Sequence, residues 1–223
     1  IIIMIFLGII CYQNNLNPIS FIFPDEITKD SYHIIPVSIE SSDCLSAFDR
    51  VIVDGDNKVV RELYERVSNE TQKLPDLFID IFNNAGFKLI ITDNIHKYTK
   101  QNISPGFYLG GVTQIHVNDR RVVLFPVQGD HTSLYHELGH VIVSAYHMEK
   151  KTLPGIWKYD KDGAIQLTGE YTGTSPHEVW AEVFEYLMLN MNDTEKMANA
   201  EQLIPVSYKV FERLLEYEET STT

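Results

Sequence analysis

The sequence predicts a single α+β domain with a small sheet and a helical C-terminal half. Runs rich in β-formers lie mostly in the first half of the chain and helical patterns mostly in the second, which is the arrangement of an α+β fold. The composition is 44% hydrophobic and 22% charged, as in an ordinary globular protein. A length of 223 residues is compatible with one domain.

Short β-rich runs predict the sheet. The expected strands cover residues 33–40, 50–53, 87–92, 113–117 and 122–127. Pro36 marks the first of them as an edge or bulged strand, because proline cannot donate to the hydrogen-bonded ladder. The run FKLIIT at 87–92 is apolar enough for a central strand. The last two strands form a predicted hairpin, with its turn at residues 118–121.

Apolar residues at helical spacing predict the helices. The expected helices cover residues 58–69, 75–85, 131–147, 176–191 and 205–217. Pro75 suits the start of the second helix, and Gly86 suits its end. Between the two long helices, the sequence predicts a loop containing glycine and lysine.

Charge and cysteine content exclude several classes of protein. The chain has 18 Lys and Arg against 31 Asp and Glu, so its net charge is −13 and it should repel nucleic acid. Arg120 and Arg121 are too few to form a basic patch. With only two cysteines, Cys11 and Cys44, a disulfide framework is excluded.

The first eleven residues, IIIMIFLGIIC, are apolar like the core of a signal peptide and too short to span a membrane. We therefore expect export, with residues 1–22 as a signal peptide or membrane anchor with its linker, and residues 29–223 as the folded domain. The given start is expected to be truncated, or Met4 to be the true start. Lipidation at Cys11 and a buried N-terminal strand are the alternatives. The sequence gives no indication of oligomeric state.

The motif HELGH at 136–140 carries the clearest chemical signal. On a helix, His136 and His140 lie one turn apart on the same face, so both imidazoles can bind one metal ion. Glu137 is then placed to act as a general base on a water. Two surface histidines on an amphipathic helix are the alternative interpretation.

A catalytic zinc site needs a third protein ligand. The extended pattern HExxHxxGxxH fails, because Val143 and Tyr146 occupy the positions of its glycine and third histidine. Glu178 and Glu182 lie four residues apart on a downstream helix, and spacing alone leaves open which of them is the ligand. Glu178 also suits a capping box with Ser175, which would give it a purely structural role.

Two further features agree with metal-dependent peptide hydrolysis. Tyr171 could stabilise an oxyanion, although a loop tyrosine is also suited to packing. The predicted edge strand could pair with the backbone of an extended substrate, or it could be an ordinary hairpin. Gly110 and Gly111 before this strand are expected to leave space for a substrate ring, and Phe107 and Tyr108 to pack against one.

HELGH, Tyr171, Glu178 and Glu182 together resemble the catalytic domain of anthrax lethal factor, and the small secreted bacterial Pro-Pro endopeptidases that share it. The shared pattern is tyrosine, six residues, glutamate, three residues, glutamate. The resemblance implies a zincin-type metallopeptidase fold, with one Zn²⁺ bound by His136, His140 and Glu178. It implies Glu137 as the base, Tyr171 as the oxyanion stabiliser and Glu182 as support for the ligands. An acidic residue precedes the zinc glutamate in these relatives, whereas His177 stands there in this chain.

We therefore expect an exported bacterial zinc endopeptidase that acts on an extended peptide or protein, with cleavage next to proline left open. The expected substrate-binding residues are Gly111, Thr113, Gln114, Ile115 and His177. A catalytically weak interaction module of the same fold is the alternative. A structural zinc protein is disfavoured, because such sites usually have four ligands, often cysteines.

Overall fold

A computed structural model describes residues 44–98, 109–116, 118–128 and 131–221. The predicted apolar leader and linker, the strand at 33–40, and the aromatic residues Phe107 and Tyr108 lie outside the described residues. In the part of the chain that is described, no helix is long and apolar enough to cross a membrane.

The predicted α+β fold with a small sheet and a helical C-terminal half is confirmed. The chain divides into two compact units. The sheet unit comprises Tyr32–His147, and the helical unit includes Met148–Thr223. The predicted boundaries of one catalytic domain at residues 29–223 stay a prediction.

The sheet unit contains a four-stranded mixed sheet. Its strands are β1 (Val51–Asp54), β2 (Lys88–Thr92), β3 (Gly111–His116) and β4 (Asp119–Leu124). Their order is β1-β2-β4-β3, with β1, β2 and β4 parallel and β3 antiparallel to β4. The prediction that 87–92 forms a central strand is confirmed, and its Leu89 and Ile91 are fully buried. The strand predicted at 113–117 lies at an edge of the described sheet, with Val117 itself outside the described residues.

The predicted turn of the hairpin is wrong in extent. We expected a turn over 118–121, but β4 already begins at Asp119 and ends at Leu124. The charged residues at this position have partners within the sheet unit. Asp119 forms an ion pair with Lys88 at 2.9 Å, and Arg121 donates to Gln114 Oε1 at 2.6 Å. These cross-strand partners let polar residues continue the ladder.

Helices cover the sheet with their apolar faces. The sheet unit contains α1 (Lys58–Thr71), α2 (Asp76–Asn84), the short α3 (Ile95–Tyr98) and α4 (Leu134–Ala145). Asn57 caps α1 through the Val60 N–H, at 3.1 Å. In α2, Phe78 and Phe82 are buried one turn apart. Helix α4 packs against β3, β4 and α2, so the HELGH motif lies beside the edge strand.

The helical unit contains more helices than the sequence predicted. Its α-helices are α5 (Thr152–Tyr159), α6 (Lys161–Thr168), α7 (Pro176–Asn190), α8 (Thr194–Leu203) and α9 (Pro205–Ser221). The predicted loop before α7 is wrong, because α5 and α6 occupy most of it, and α8 was not anticipated. Gly163 is a packing residue within α6 rather than a helix breaker, because a side chain there would collide with the Leu203 backbone carbonyl.

A fully buried carboxylate, Asp160, joins two helices of this unit. It accepts hydrogen bonds from the Ser207 N–H at 2.5 Å, the Ser207 hydroxyl at 2.7 Å and the Val206 N–H at 3.3 Å. Burial raises the pKa of Asp160 above its ordinary value, while these hydrogen bonds act in the opposite direction. Asp160 therefore caps α9, whose first backbone N–H groups have no partner within the helix.

Candidate metal centre

The helix that carries HELGH is fixed at its start by a buried acid from α1. Glu70, which is 5% exposed, accepts the Thr132 N–H at 2.6 Å and also the Thr132 hydroxyl. Thr132 Oγ1 in turn accepts the Leu134 N–H at 3.1 Å. The Tyr135 hydroxyl donates to the Glu70 carbonyl at 3.1 Å, and burial raises the pKa of Tyr135 to about 12.

Glu70 was not predicted from the sequence. A signal was present, since Glu70 follows Val67 by three residues along the buried stripe of α1. A carboxylate at such a position needs a hydrogen-bonding partner inside the fold. Its partner lies 62 residues away along the chain.

The two histidines of the motif lie together, as predicted. The ring centroids of His136 and His140 are 5.0 Å apart, with their planes at 80°. Both side chains are half-buried on α4. The helical spacing therefore brings two imidazoles to one place, where they can contribute two nitrogen ligands.

Glu137 is buried against the edge strand. Only 4% of it is exposed, and its Oε2 atom accepts a hydrogen bond of 2.6 Å from the Thr113 hydroxyl. The expectation that Gly110 and Gly111 leave space for a substrate ring is wrong. The Glu137 carboxylate fills the space at Gly111, where an added Cβ would lie 2.5 Å from Oε1, and Ser133 fills the space at Gly110.

The other predicted substrate residues of β3 differ in their surroundings. Gln114 accepts from Arg121, while Ile115 is 38% exposed. Thr113 faces α4 and contacts the Glu137 carboxylate. Their predicted contacts with substrate stay predictions.

The remaining predicted site residues belong to the helical unit. Glu178 and Glu182 lie one turn apart on α7, and both are half-buried. Ser175 Oγ accepts the Glu178 N–H at 3.2 Å, so the serine half of the predicted capping box is present. This bond uses the backbone of Glu178 and not its carboxylate. The Oε2 atom of that carboxylate is shielded from solvent.

Tyr171 and His177 flank the start of α7. Tyr171 lies on the 3₁₀ turn Glu170–Thr174 and is 49% exposed, so its hydroxyl does not belong to the core of the helical unit. His177 occupies the first turn of α7 and is half-buried. The roles proposed for them in oxyanion stabilisation and substrate binding stay predictions.

The candidate ligands are His136 and His140 in the sheet unit and Glu178 in the helical unit. Two imidazole nitrogens and one carboxylate oxygen are a donor set that suits catalytic zinc. Glu182 and Glu185 are further carboxylates of the helical unit that could bind a metal ion. Glu185 was missed in the sequence, although it continues the face of α7 that carries Glu178 and Glu182.

Comparison with known proteins gives a structural likeness. No family model matches the chain, and no curated protein matches it. Among solved structures, the fold is similar to that of a Pro-Pro endopeptidase from Paenibacillus alvei, with a TM-score of 0.52 and 18% sequence identity. The likeness covers 77% of this chain and 99% of that one. At this identity, the comparison establishes a shared fold.

Proposed function

We propose that this chain is a zinc-dependent endopeptidase. The observation that carries the proposal is the burial of the Glu137 carboxylate against the edge strand, on the helix where His136 and His140 lie 5.0 Å apart. A charged group is seldom buried without a specific role, and this one adjoins two metal-binding side chains. The similar fold of an endopeptidase supports the same conclusion.

We assign zinc to His136, His140 and Glu178, the ligands that the sequence resemblance implies. When bound, zinc would supply a Lewis acid that polarises the scissile carbonyl and lowers the pKa of a water to about 7. Glu137 takes the proton of the attacking water and passes it to the leaving amine. Tyr171 donates its hydroxyl proton in a hydrogen bond to the developing oxyanion.

Glu178 is proposed as the carboxylate ligand and Glu182 as its support. Glu178→Ala should abolish zinc binding, whereas Glu182→Ala should weaken it by about 10–100-fold, as expected for loss of a residue that orients a ligand. Competition with a chromogenic chelator measures both affinities. The reverse ranking would make Glu182 the ligand and Glu178 the helix cap.

The proposed substrate is an extended peptide lying along β3. This strand is at an edge of the described sheet, so a substrate backbone can extend the ladder. The similar structure is described as a Pro-Pro endopeptidase, and we extend proline-adjacent cleavage to this chain. A proline-rich peptide is already extended and therefore loses little conformational entropy on binding.

A peptide library varied at the two positions flanking the scissile bond tests both parts of the proposal. Digestion should stop when a chelator removes the metal and resume when zinc is returned. Preferred cleavage beside proline would support the substrate assignment, whereas cleavage restricted to non-proline positions would reject it. Peptide binding without any cleavage would indicate the interaction module instead.

Export from a bacterial cell completes the proposal. The apolar run at residues 1–11 supports it, because such a run is typical of the core of a signal peptide. Fractionation of expressing cells, followed by determination of the mature N-terminus, would distinguish a cleaved leader from a retained anchor.

A further inference from the structure

The edge strand presents two different faces, and one of them is directed at the catalytic helix. Val112 packs against the apolar cluster of Ile90, Val123 and Phe125. Its neighbours Gly111 and Thr113 point the other way, as alternation along a strand requires, and both contact Glu137. The strand proposed to bind substrate therefore also packs against the Glu137 carboxylate.

We propose that Thr113 is a positioning residue for Glu137, an inference that rests on the proposed peptidase function. The Thr113 hydroxyl has a single proton, and its two acceptors on Glu137 are Oε2 at 2.6 Å and the backbone carbonyl at 3.3 Å. The shorter contact takes the proton, since hydrogen bonds to a charged carboxylate are the stronger ones. This bond fixes the plane of the carboxylate.

Gly111 contributes to the same arrangement by having no side chain. A Cβ at this position would lie 2.5 Å from Oε1 and 2.7 Å from Cγ of Glu137. Contacts that short do not occur between such atoms, so any side chain at 111 would displace the carboxylate. Thr113 therefore donates a hydrogen bond to Oε2 of Glu137, while the absence of a side chain at Gly111 leaves space for Oε1.

Together, Thr113 and Gly111 define the orientation of the Glu137 carboxylate. Oε2 is held by the strand, and Oε1 is the oxygen that we assign to proton transfer. General-base catalysis needs its acceptor within hydrogen-bond reach of the water, and misplacement by about 1 Å can cost on the order of 100-fold in rate. Thr113 thus acts through Glu137 rather than through contact with the substrate.

The experiment compares Thr113→Val, which removes the hydroxyl at nearly constant shape, with Thr113→Ser, which retains it. In the zinc-loaded protein, Thr113→Val should lower kcat by about 10–100-fold with little change in KM, as for a lost hydrogen bond to a charged group. Thr113→Ser should stay within about threefold of the parent, because its hydroxyl can still donate.

Thr71→Val is the matched control in the same unit, since the Thr71 hydroxyl donates to the Val67 carbonyl at 2.8 Å. That control should lower Tm but not kcat.

A second readout does not depend on activity. Thr113→Val, Glu137→Leu, which removes the acceptor oxygens, and the double variant form a cycle in Tm, measured on metal-free protein. Coupling through the hydrogen bond predicts that the double variant loses clearly less than the sum of the single losses.

The outcomes separate the two proposals. If the parent cleaves but Thr113→Val has the parent kcat, or if its whole effect is on KM, the positioning role is overturned and Thr113 contacts substrate instead. Equal losses in the valine and serine variants would also overturn it. If the parent shows no cleavage, the peptidase proposal fails, and strictly additive Tm losses would then reject the Thr113–Glu137 link as well.

Discussion

The two units each contain a buried carboxylate, and their surroundings differ. Asp160 in the helical unit receives two backbone N–H groups and a hydroxyl at the start of α9, which is the environment of a helix cap. Glu137 in the sheet unit receives a hydroxyl from an edge strand and lies on the helix turn that carries two histidines. Burial is common to both acids, but the neighbours of Asp160 are those of a helix cap, whereas those of Glu137 suit the general base that we propose.

Glu137→Gln should give the largest effect on activity, with little effect on folding. The amide cannot accept a proton as a base, so turnover should fall by about 10²–10⁴-fold, the usual contribution of general-base catalysis. Its carbonyl oxygen can still accept from Thr113, so Tm should change little. Peptide cleavage measures turnover, and thermal unfolding measures Tm. A variant that cleaves at the parent rate would show that Glu137 is not the general base.

Asp160→Ala should show the reverse behaviour. The change leaves two backbone N–H groups and the Ser207 hydroxyl buried without their acceptor, so unfolding free energy should drop by about 3 kcal/mol. Activity per folded molecule should be retained. Urea unfolding monitored by circular dichroism checks the first expectation. An unchanged midpoint would contradict the capping role.

The pH dependence of stability sharpens the same comparison. Burial raises the pKa of Asp160, so the folded chain binds this proton more tightly than the unfolded chain does. The parent should therefore gain stability relative to Asp160→Asn as the pH falls through the folded pKa towards the ordinary value of 3.8. Paired urea titrations at several pH values test the sign, and a relative loss on acidification would contradict it.

Asp119→Asn should give the smallest of these effects, a small decrease in the free energy of unfolding. A hydrogen bond from Lys88 lowers the pKa of Asp119, but the pair lies at the partly exposed sheet surface, with 32% of each side chain accessible. Its contribution should be below about 1 kcal/mol. Because the folded pKa is depressed, that contribution is present above 3.8 and disappears as the pH falls through the folded pKa. A loss as large as that of Asp160→Ala would contradict this ranking.

The features that the sequence predicted well are those encoded locally. The histidines of HELGH are four residues apart, so helical periodicity alone places them together. The central strand at 88–92 was predicted from a short run of β-formers. Helix α7 was predicted from its Ser-Pro start and apolar spacing.

The features that the sequence did not predict depend on distant partners. Thr113 meets Glu137 across 24 residues, and Asp160 meets Ser207 across 47. The turn at 118–121 was predicted too long because the cross-strand partner of Arg121 could not be known from its polarity. The glycine and lysine content between the two long helices suggested a loop, whereas Gly163 lies within α6 and allows close packing against Leu203.

The most direct test of the central claim is zinc content measured together with cleavage in the parent and three variants. The parent and Glu137→Gln should each hold about one zinc per chain, with only the parent active. His136→Ala and His140→Ala should lose most of the zinc and all cleavage. Full zinc retention in both histidine variants, or undiminished cleavage after zinc is removed from the parent, would contradict the account.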